Sequence, residues 1–262
     1  MTAAVASPAS LNLGQVISTG LGILRRRPVA LLLLALVLGY LPGLAASWVS
    51  AQWVVPRLPP GAGLGAIFSR FGVTESIALT RGGFGWILQG AVAVVATADL
   101  AGDSDHLPAV LAANIRRAPL IFLLGVVGLA GISLGTLFLV IPGVILEVTW
   151  SVCPAVAALE NRGFTGVFGR SATLTRGSGW PLLALLLVFG VISAALTFGV
   201  RPMFGAPLLK TGAVPPVLLF VVQPAIIALL SVTRGAVFAA AYLELRQAKE
   251  GLATHALAAT FD

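Results

Sequence analysis

Residues 119–159 read PLIFLLGVVGLAGISLGTLFLVIPGVILEVTWSVCPAVAAL, and across these forty-one residues the only charged side chain is Glu147. The apolar positions are continuous rather than alternating, which argues against membrane strands with one polar face. A helix rising about 1.5 Å per residue needs about 20 apolar residues to cross a hydrocarbon core of about 30 Å. The stretch therefore holds two spans back to back, Pro119 to Val140 and Pro142 to Leu159.

Working outward, four more apolar runs reach spanning length: Val29 to Ser50, Gly83 to Leu100, Pro181 to Val200 and Pro215 to Leu245, the last free to tilt or kink at Pro224. Composition agrees. Hydrophobic residues make up 58% of the 262-residue chain and charged ones 10%, whereas soluble domains carry roughly 25% charged residues. Too few charges are present to cover a surface in water, so lipid is the expected solvent. The fold class predicted is all-α, a polytopic membrane protein with six transmembrane helices.

The chain carries a net charge of +7. Its basic residues cluster at the ends of apolar runs, as in Arg25–Arg27 and Arg116–Arg117, which is the placement of membrane anchors and not of a nucleic-acid surface. Under six spans, the side holding both termini collects ten Lys and Arg and the other side five. The positive-inside rule then puts both termini in the cytoplasm. Arg25–Arg27, Leu31–Leu38 and Leu44–Ser47 imitate a signal peptide, but twenty-four residues precede the arginines, an overlong leader. We read the segment as a retained span.

The spans repeat in pairs. Leu11–Arg27 leads into Pro28, Leu107–Ala118 into Pro119 and Gly166–Trp180 into Pro181. The first has Leu13, Val16, Ile17, Leu21 and Leu24 at helical spacing, the pattern of an amphipathic helix on a membrane surface. The even spans close alike, on Asp99–Leu100, Leu159–Glu160 and Leu243–Glu244, each followed by a glycine. The expected organisation is one membrane domain over 1–262, made of three hairpin repeats (9–102, 105–163 and 164–251), each led by a cytoplasmic interfacial amphipathic helix, with a tail over 252–262.

Register suggests where charges meet. Asp99, Glu160 and Glu244 fall at one depth, near Arg116, Arg117 and Arg176, and either form a belt of ion pairs or stay hydrated at the interface. Two charges fall inside spans, Glu147 and Arg234. Aligning the even spans puts Arg234 level with Trp150 and Gln89, and Glu147 about 4.5 Å deeper. Neither charge tolerates lipid alone, so a pair is expected, either as a lock between hairpins or as a ligand site with Gln89. Arg25, Arg26, Arg27, Arg116 and Arg117 are the expected contacts for anionic phospholipid. Gly125, Gly128, Gly131 and Gly135 form a stripe for close helix packing.

Other patterns carry less. GAGLGA at 61–66 follows no strand and is discarded as a dinucleotide fingerprint. Leu64, Ile67, Phe68 and Phe71 predict a short helix resting on the outer leaflet. Asp99, Asp103, Asp105 and His106 read as solvated acids at a helix end. His106 and His255 are the only histidines and Cys153 the only cysteine. No nucleophile elbow or phosphate-binding loop occurs, so neither a metal, a cofactor nor an enzymatic activity is expected.

Phe138–Leu146 (FLVIPGVIL), Glu160, Gly169–Gly177 (GRSATLTRG) and Ala241–Arg246 (AYLELR) with Glu250–Gly251 resemble the membrane domain that precedes the catalytic barrel in some glycerophosphoryl diester phosphodiesterases, and related stand-alone bacterial membrane proteins. The similarity lies mainly over 119–251. It implies a six-helix membrane module without an activity of its own, and no barrel lies within these residues. The expected role is non-enzymatic: lipid interaction, or service as an accessory subunit beside other membrane proteins. A small-solute transporter using Glu147 and Arg234 is the alternative, and it requires an interior cavity lined by Gln89, Glu147 and Arg234.

Overall fold

The computed structural model describes residues 11–53, 63–102, 107–200 and 215–251, and all regular structure among them is helical. Helix α1 (Leu13–Arg26) is capped by Asn12, whose side chain accepts from the Gln15 N–H at 3.2 Å. The chain turns at Arg27 into α2 (Pro28–Leu34), where proline opens the helix because the first turn has no use for its missing N–H. A π-helical segment (Ala35–Tyr40) and α3 (Leu41–Trp53) complete the first span. There follow α4 (Leu64–Ala101), α5 (Leu107–Phe138), α6 (Val140–Trp150), α7 (Cys153–Leu159), α8 (Phe164–Thr175) and α9 (Gly179–Gly199). A second π segment (Leu218–Val222) leads into α10 (Gln223–Glu250).

Six helical stretches are long and apolar enough to cross a membrane: Pro28–Gln52, Leu64–Ala101, Asn114–Phe138, Val140–Leu159, Gly179–Gly199 and Leu218–Glu250. The even ones are 56, 44 and 61% buried and the odd ones only 22, 22 and 17%. The even spans therefore make the centre, and the odd spans turn leucine and valine outward, as Leu32, Leu33, Leu187 and Val191 do. So large an apolar exterior belongs in lipid. The chain is a multi-pass membrane protein.

Two helix boundaries differ from expectation. The segment at Leu64–Phe71 is no separate surface helix; it is the start of α4, a single helix of 38 residues and about 57 Å in length. Similarly, Pro119 lies inside α5, which runs unbroken from Leu107. Neighbouring helices and a slight bend can absorb a proline within a span.

At the centre, small side chains let backbones approach. Val92–Ala96, Val152–Ala158 and Ala236–Leu243 are buried almost throughout. On α5 the glycine stripe receives α4: a Cβ at Gly125 would come within 2.9 Å of the Gly83 Cα and 3.0 Å of the Trp86 Cβ. Backbone cannot yield there as a side-chain tip could. Gly125→Leu is expected to cost about 1–3 kcal/mol through overpacking, read as a lower melting midpoint in detergent; an unchanged midpoint would show that the two helices do not meet here.

Helix α1 docks against α10, where a Cβ on Gly20 would sit 2.8 Å from the Val237 Cα. Its buried face centres on Val16, Gly20 and Ile23, while Ile17 and Leu21 of the expected stripe stay exposed. Docking follows the glycine, which offers the shortest approach. At the other end of the bundle α5 and α6 are joined by Leu139 alone, in extended conformation, flanked by exposed Leu137, Phe138, Val140 and Ile141.

The π segment of the first span packs against α10, and the Tyr40 hydroxyl reaches the other π segment, donating to the Phe220 carbonyl at 3.3 Å. A π turn disrupts the regular i to i−4 ladder, and here a side chain from the opposite helix supplies a donor to a carbonyl in that disrupted stretch.

Candidate functional site

Two polar arrangements stand out in this apolar bundle. The first closes the end of the bundle at which α7 and α10 finish. Glu160, 8% exposed at its side chain, accepts from Arg162 Nε at 2.6 Å, from Arg170 Nε at 3.0 Å and from the Tyr242 hydroxyl at 3.0 Å. Arg170 also bonds Glu250, Arg246 Nε donates to Glu250 at 3.0 Å, and Arg246 Nη1 donates back to the Tyr242 oxygen at 3.2 Å. The circuit Glu160–Arg170–Glu250–Arg246–Tyr242 is closed and ties α7, α8 and α10 together. Burial works against the charged Arg170 guanidinium, but hydrogen bonds and charge from Glu250 and Glu160 outweigh it and hold its pKa above the ordinary arginine value. Asp99 makes a separate knot, accepting from Arg26 Nη1 at 3.1 Å and Arg27 Nε at 2.9 Å.

The residues expected to form one belt are thus distributed otherwise. Asp99 and Glu160 each hold arginines, and Arg117 Nη1 donates to the carbonyls of Ala158 (3.4 Å) and Glu160 (3.5 Å). Arg116 and Arg176 are exposed. Glu244 lies apart, in a groove with Leu11, Asn12, Gln15 and Gln247, one carboxylate oxygen buried without a hydrogen bond. Each helical residue turns by about 100°, so Tyr242, two positions earlier, takes the face toward Glu160 and Glu244 cannot. Of the expected lipid contacts, Arg26 and Arg27 are engaged by Asp99, while Arg25 is exposed. Asp103, Asp105 and His106 lie outside the described residues.

The second arrangement is a cavity of about 430 Å³ bounded by α4, α5, α6, α7 and α10. Its polar lining is Arg81, Gln89, Glu147, Ser151, Ser231 and Arg234, with Trp86 and Trp150 on its walls. Both tryptophans rest on the α5 glycines: added Cβ atoms would reach Trp86 at 2.8 Å from Gly128 and Trp150 at 3.0 Å from Gly131. Arg234 Nη2 donates to Glu147 Oε1 at 3.3 Å, and its guanidinium carbon lies 5.4 Å from the Phe238 ring centroid. The pair is open to the cavity, with 34 and 40% side-chain exposure for Arg234 and Glu147. The sequence register thus brings Gln89, Glu147, Trp150 and Arg234 to one chamber.

Arg81 is the residue the sequence reading missed, having been assigned to a loop. It sits in α4 and its Nη2 donates to the Gly43 carbonyl at 3.0 Å and to Ser47 Oγ at 2.9 Å of α3. The signal was the i, i+4, i+8 series Arg81, Gly85, Gln89 on one helix face, all three lining the cavity. Counted along α4 from Asp99, Gln89 is about 15 Å deep and Arg81 about 27 Å. The chamber therefore extends about 12 Å along α4, away from its Asp99 end.

With two guanidiniums against one carboxylate, and no other described acid in its lining, the cavity carries an excess positive charge. The Nε atoms of Arg81 and Arg234 are buried without a hydrogen-bond partner. A guanidinium presents its N–H groups in a fork matched to carboxylate or phosphate. No protein-family model, curated protein or solved structure matches the chain.

Proposed function

We propose that the protein is a non-enzymatic, lipid-interacting membrane protein whose interior cavity holds the anionic head group of an amphiphilic ligand. The observation that carries this reading is the pair of guanidiniums set against a single described carboxylate in the lining of one chamber inside an otherwise apolar bundle. Arg234 has Glu147 as its counter-charge, whereas the described partners of Arg81 are the neutral Gly43 carbonyl and Ser47 hydroxyl, so one positive charge of the lining has no carboxylate beside it. The chamber volume falls within the range of about 300–1,000 Å³ typical of ligand pockets.

In this reading the chain sits in a bacterial inner membrane with its termini in the cytoplasm, built from three hairpin repeats. Helices α1 and α8 are surface pieces of those repeats, and exposed Arg25 and Arg116 meet anionic lipid from the cytoplasmic side. The resemblance to the phosphodiesterase-linked membrane module is compatible with this role and adds no activity. Service as an accessory subunit to other membrane proteins fits the same architecture.

Binding of short-chain phosphatidylglycerol to the full chain in neutral detergent tests the proposal, with phosphatidylcholine as the comparison. Wild type should prefer the anionic lipid, and Arg81→Gln with Arg234→Gln should weaken its binding at least about tenfold, the loss of roughly 1.4 kcal/mol. Equal binding by wild type and the double variant would end the proposal. The extent of the chamber along α4 favours one second reading: passage of a small anionic solute. Uptake of such a solute by reconstituted vesicles, abolished in the same variant, would replace the first reading with the second.

A further inference from the structure

A second concavity, away from the charged cavity, opens between α6 and α9. Its volume is about 740 Å³. Ile141, Val144 and Val148 form one wall and Leu183 the other, and at the end where α9 begins it finishes on Thr175, Arg176 and Trp180. Along α6 the apolar wall from Val140 to Thr149 is about 14 Å long, most of one leaflet's half of the hydrocarbon.

Polarity along this groove runs in one direction. Trp180 is 83% exposed at the end where α9 begins, the level at which tryptophan settles between head groups and chains. Arg176 is exposed there and makes no ion pair with a described residue. Lys249 stands beside it, its Nζ donating to the carbonyls of Arg176 at 2.7 Å and Thr173 at 2.6 Å. Lys249 thereby covers the carbonyl end of α8 and adds a second positive charge. The turn between α8 and α9 carries Gly177 (φ +87°) and Gly179, and a Cβ on Gly179 would come no closer than 3.9 Å to Val148. The mouth is unobstructed.

We infer that this groove is a binding site for one anionic phospholipid, its phosphate against Arg176 and an acyl chain lying between α6 and α9. The charge at the mouth selects the occupant: a cation, an interfacial indole and an aliphatic trough repeat the order of phosphate, glycerol and chain in a lipid. A transmembrane helix from a partner would bring an apolar face to the trough but would require an acidic residue at one particular end. The site shares no lining residue with the charged cavity, so the two stand or fall separately.

The full chain is purified in mild detergent from membranes containing phosphatidylglycerol and phosphatidylethanolamine, and retained lipid is counted by native mass spectrometry. One phosphatidylglycerol per chain is expected at this groove, counted as the copy that Val144→Trp removes, separately from any held in the charged cavity. Val144→Trp should fill the trough and remove it, and Arg176→Gln should lower the preference over phosphatidylethanolamine about fivefold, the effect of one basic side chain at a charged membrane surface. Val191→Trp, on the exposed side of α9, should leave the retained lipid in place. Loss of lipid in all variants alike would mean a general annulus and overturn the inference. So would an undiminished lipid count in Val144→Trp, an unaltered preference in Arg176→Gln, or a lipid-free dimer joined through this face. Arg176→Gln alters only an exposed side chain, so its result stands even where Val144→Trp does not fold.

Discussion

Replacing Glu160 by alanine should destabilise the protein by about 3 kcal/mol, the usual scale for removing one member of a buried ion pair. Its carboxylate is almost fully buried and receives Arg170, Arg162 and Tyr242. Without it, Arg170 keeps only Glu250, and the buried Tyr242 hydroxyl loses its acceptor. The two arginines should not matter equally. Arg162 is 47% exposed, so Arg162→Gln should cost less than about 0.5 kcal/mol. Arg170 is 14% exposed and joins two acids, so Arg170→Gln should approach the effect of losing Glu160. Thermal unfolding of the full chain in detergent gives all three values. Equal, small losses for both arginines would mean that solvent screens the whole circuit.

Glu147 and Arg234 should respond with opposite signs when anion binding is measured. Arg234→Gln removes a positive charge from the cavity and should weaken phosphatidylglycerol binding about tenfold. Glu147→Gln removes the only described carboxylate in the lining. It should strengthen binding severalfold, because Arg234 Nη2 is then no longer shared with an internal partner. On stability the two should instead act alike. Breaking a half-exposed pair should cost about 1 kcal/mol from either side. The combination separates two roles: a structural lock predicts matched stability losses and no change in binding, whereas a ligand site predicts divergent binding. Weakened binding in both variants would show that the pair acts as a unit rather than as receptor and competitor.

How much of this was legible in the sequence differs by level. The six spans were, because the cost of a charge in hydrocarbon writes itself into composition: Glu147 stands alone in forty-one residues. Helix ends were not. The α4 helix extends back to Leu64 and α5 to Leu107 because backbone hydrogen bonding continues past the level where hydropathy falls. That Gln89, Glu147 and Arg234 meet in one cavity was also within reach of the sequence, since rise per residue is fixed. Rotation was harder: Tyr242, Arg246, Glu250 and Arg170 were present in the quoted motifs, yet only helix packing decides which of them faces Glu160. Arg81 escaped because its span was ended at Gly83, two residues too soon.

The single-residue connection at Leu139 bears on how the chain enters the membrane. Nothing charged has to be ferried across the bilayer at the bend between α5 and the α6–α7 arm, since the residues on both sides of it are apolar. The two arms therefore suit insertion as one pre-bent unit, with the Glu147 carboxylate as the sole charge drawn in, to be met afterwards by Arg234 from the last helix to arrive.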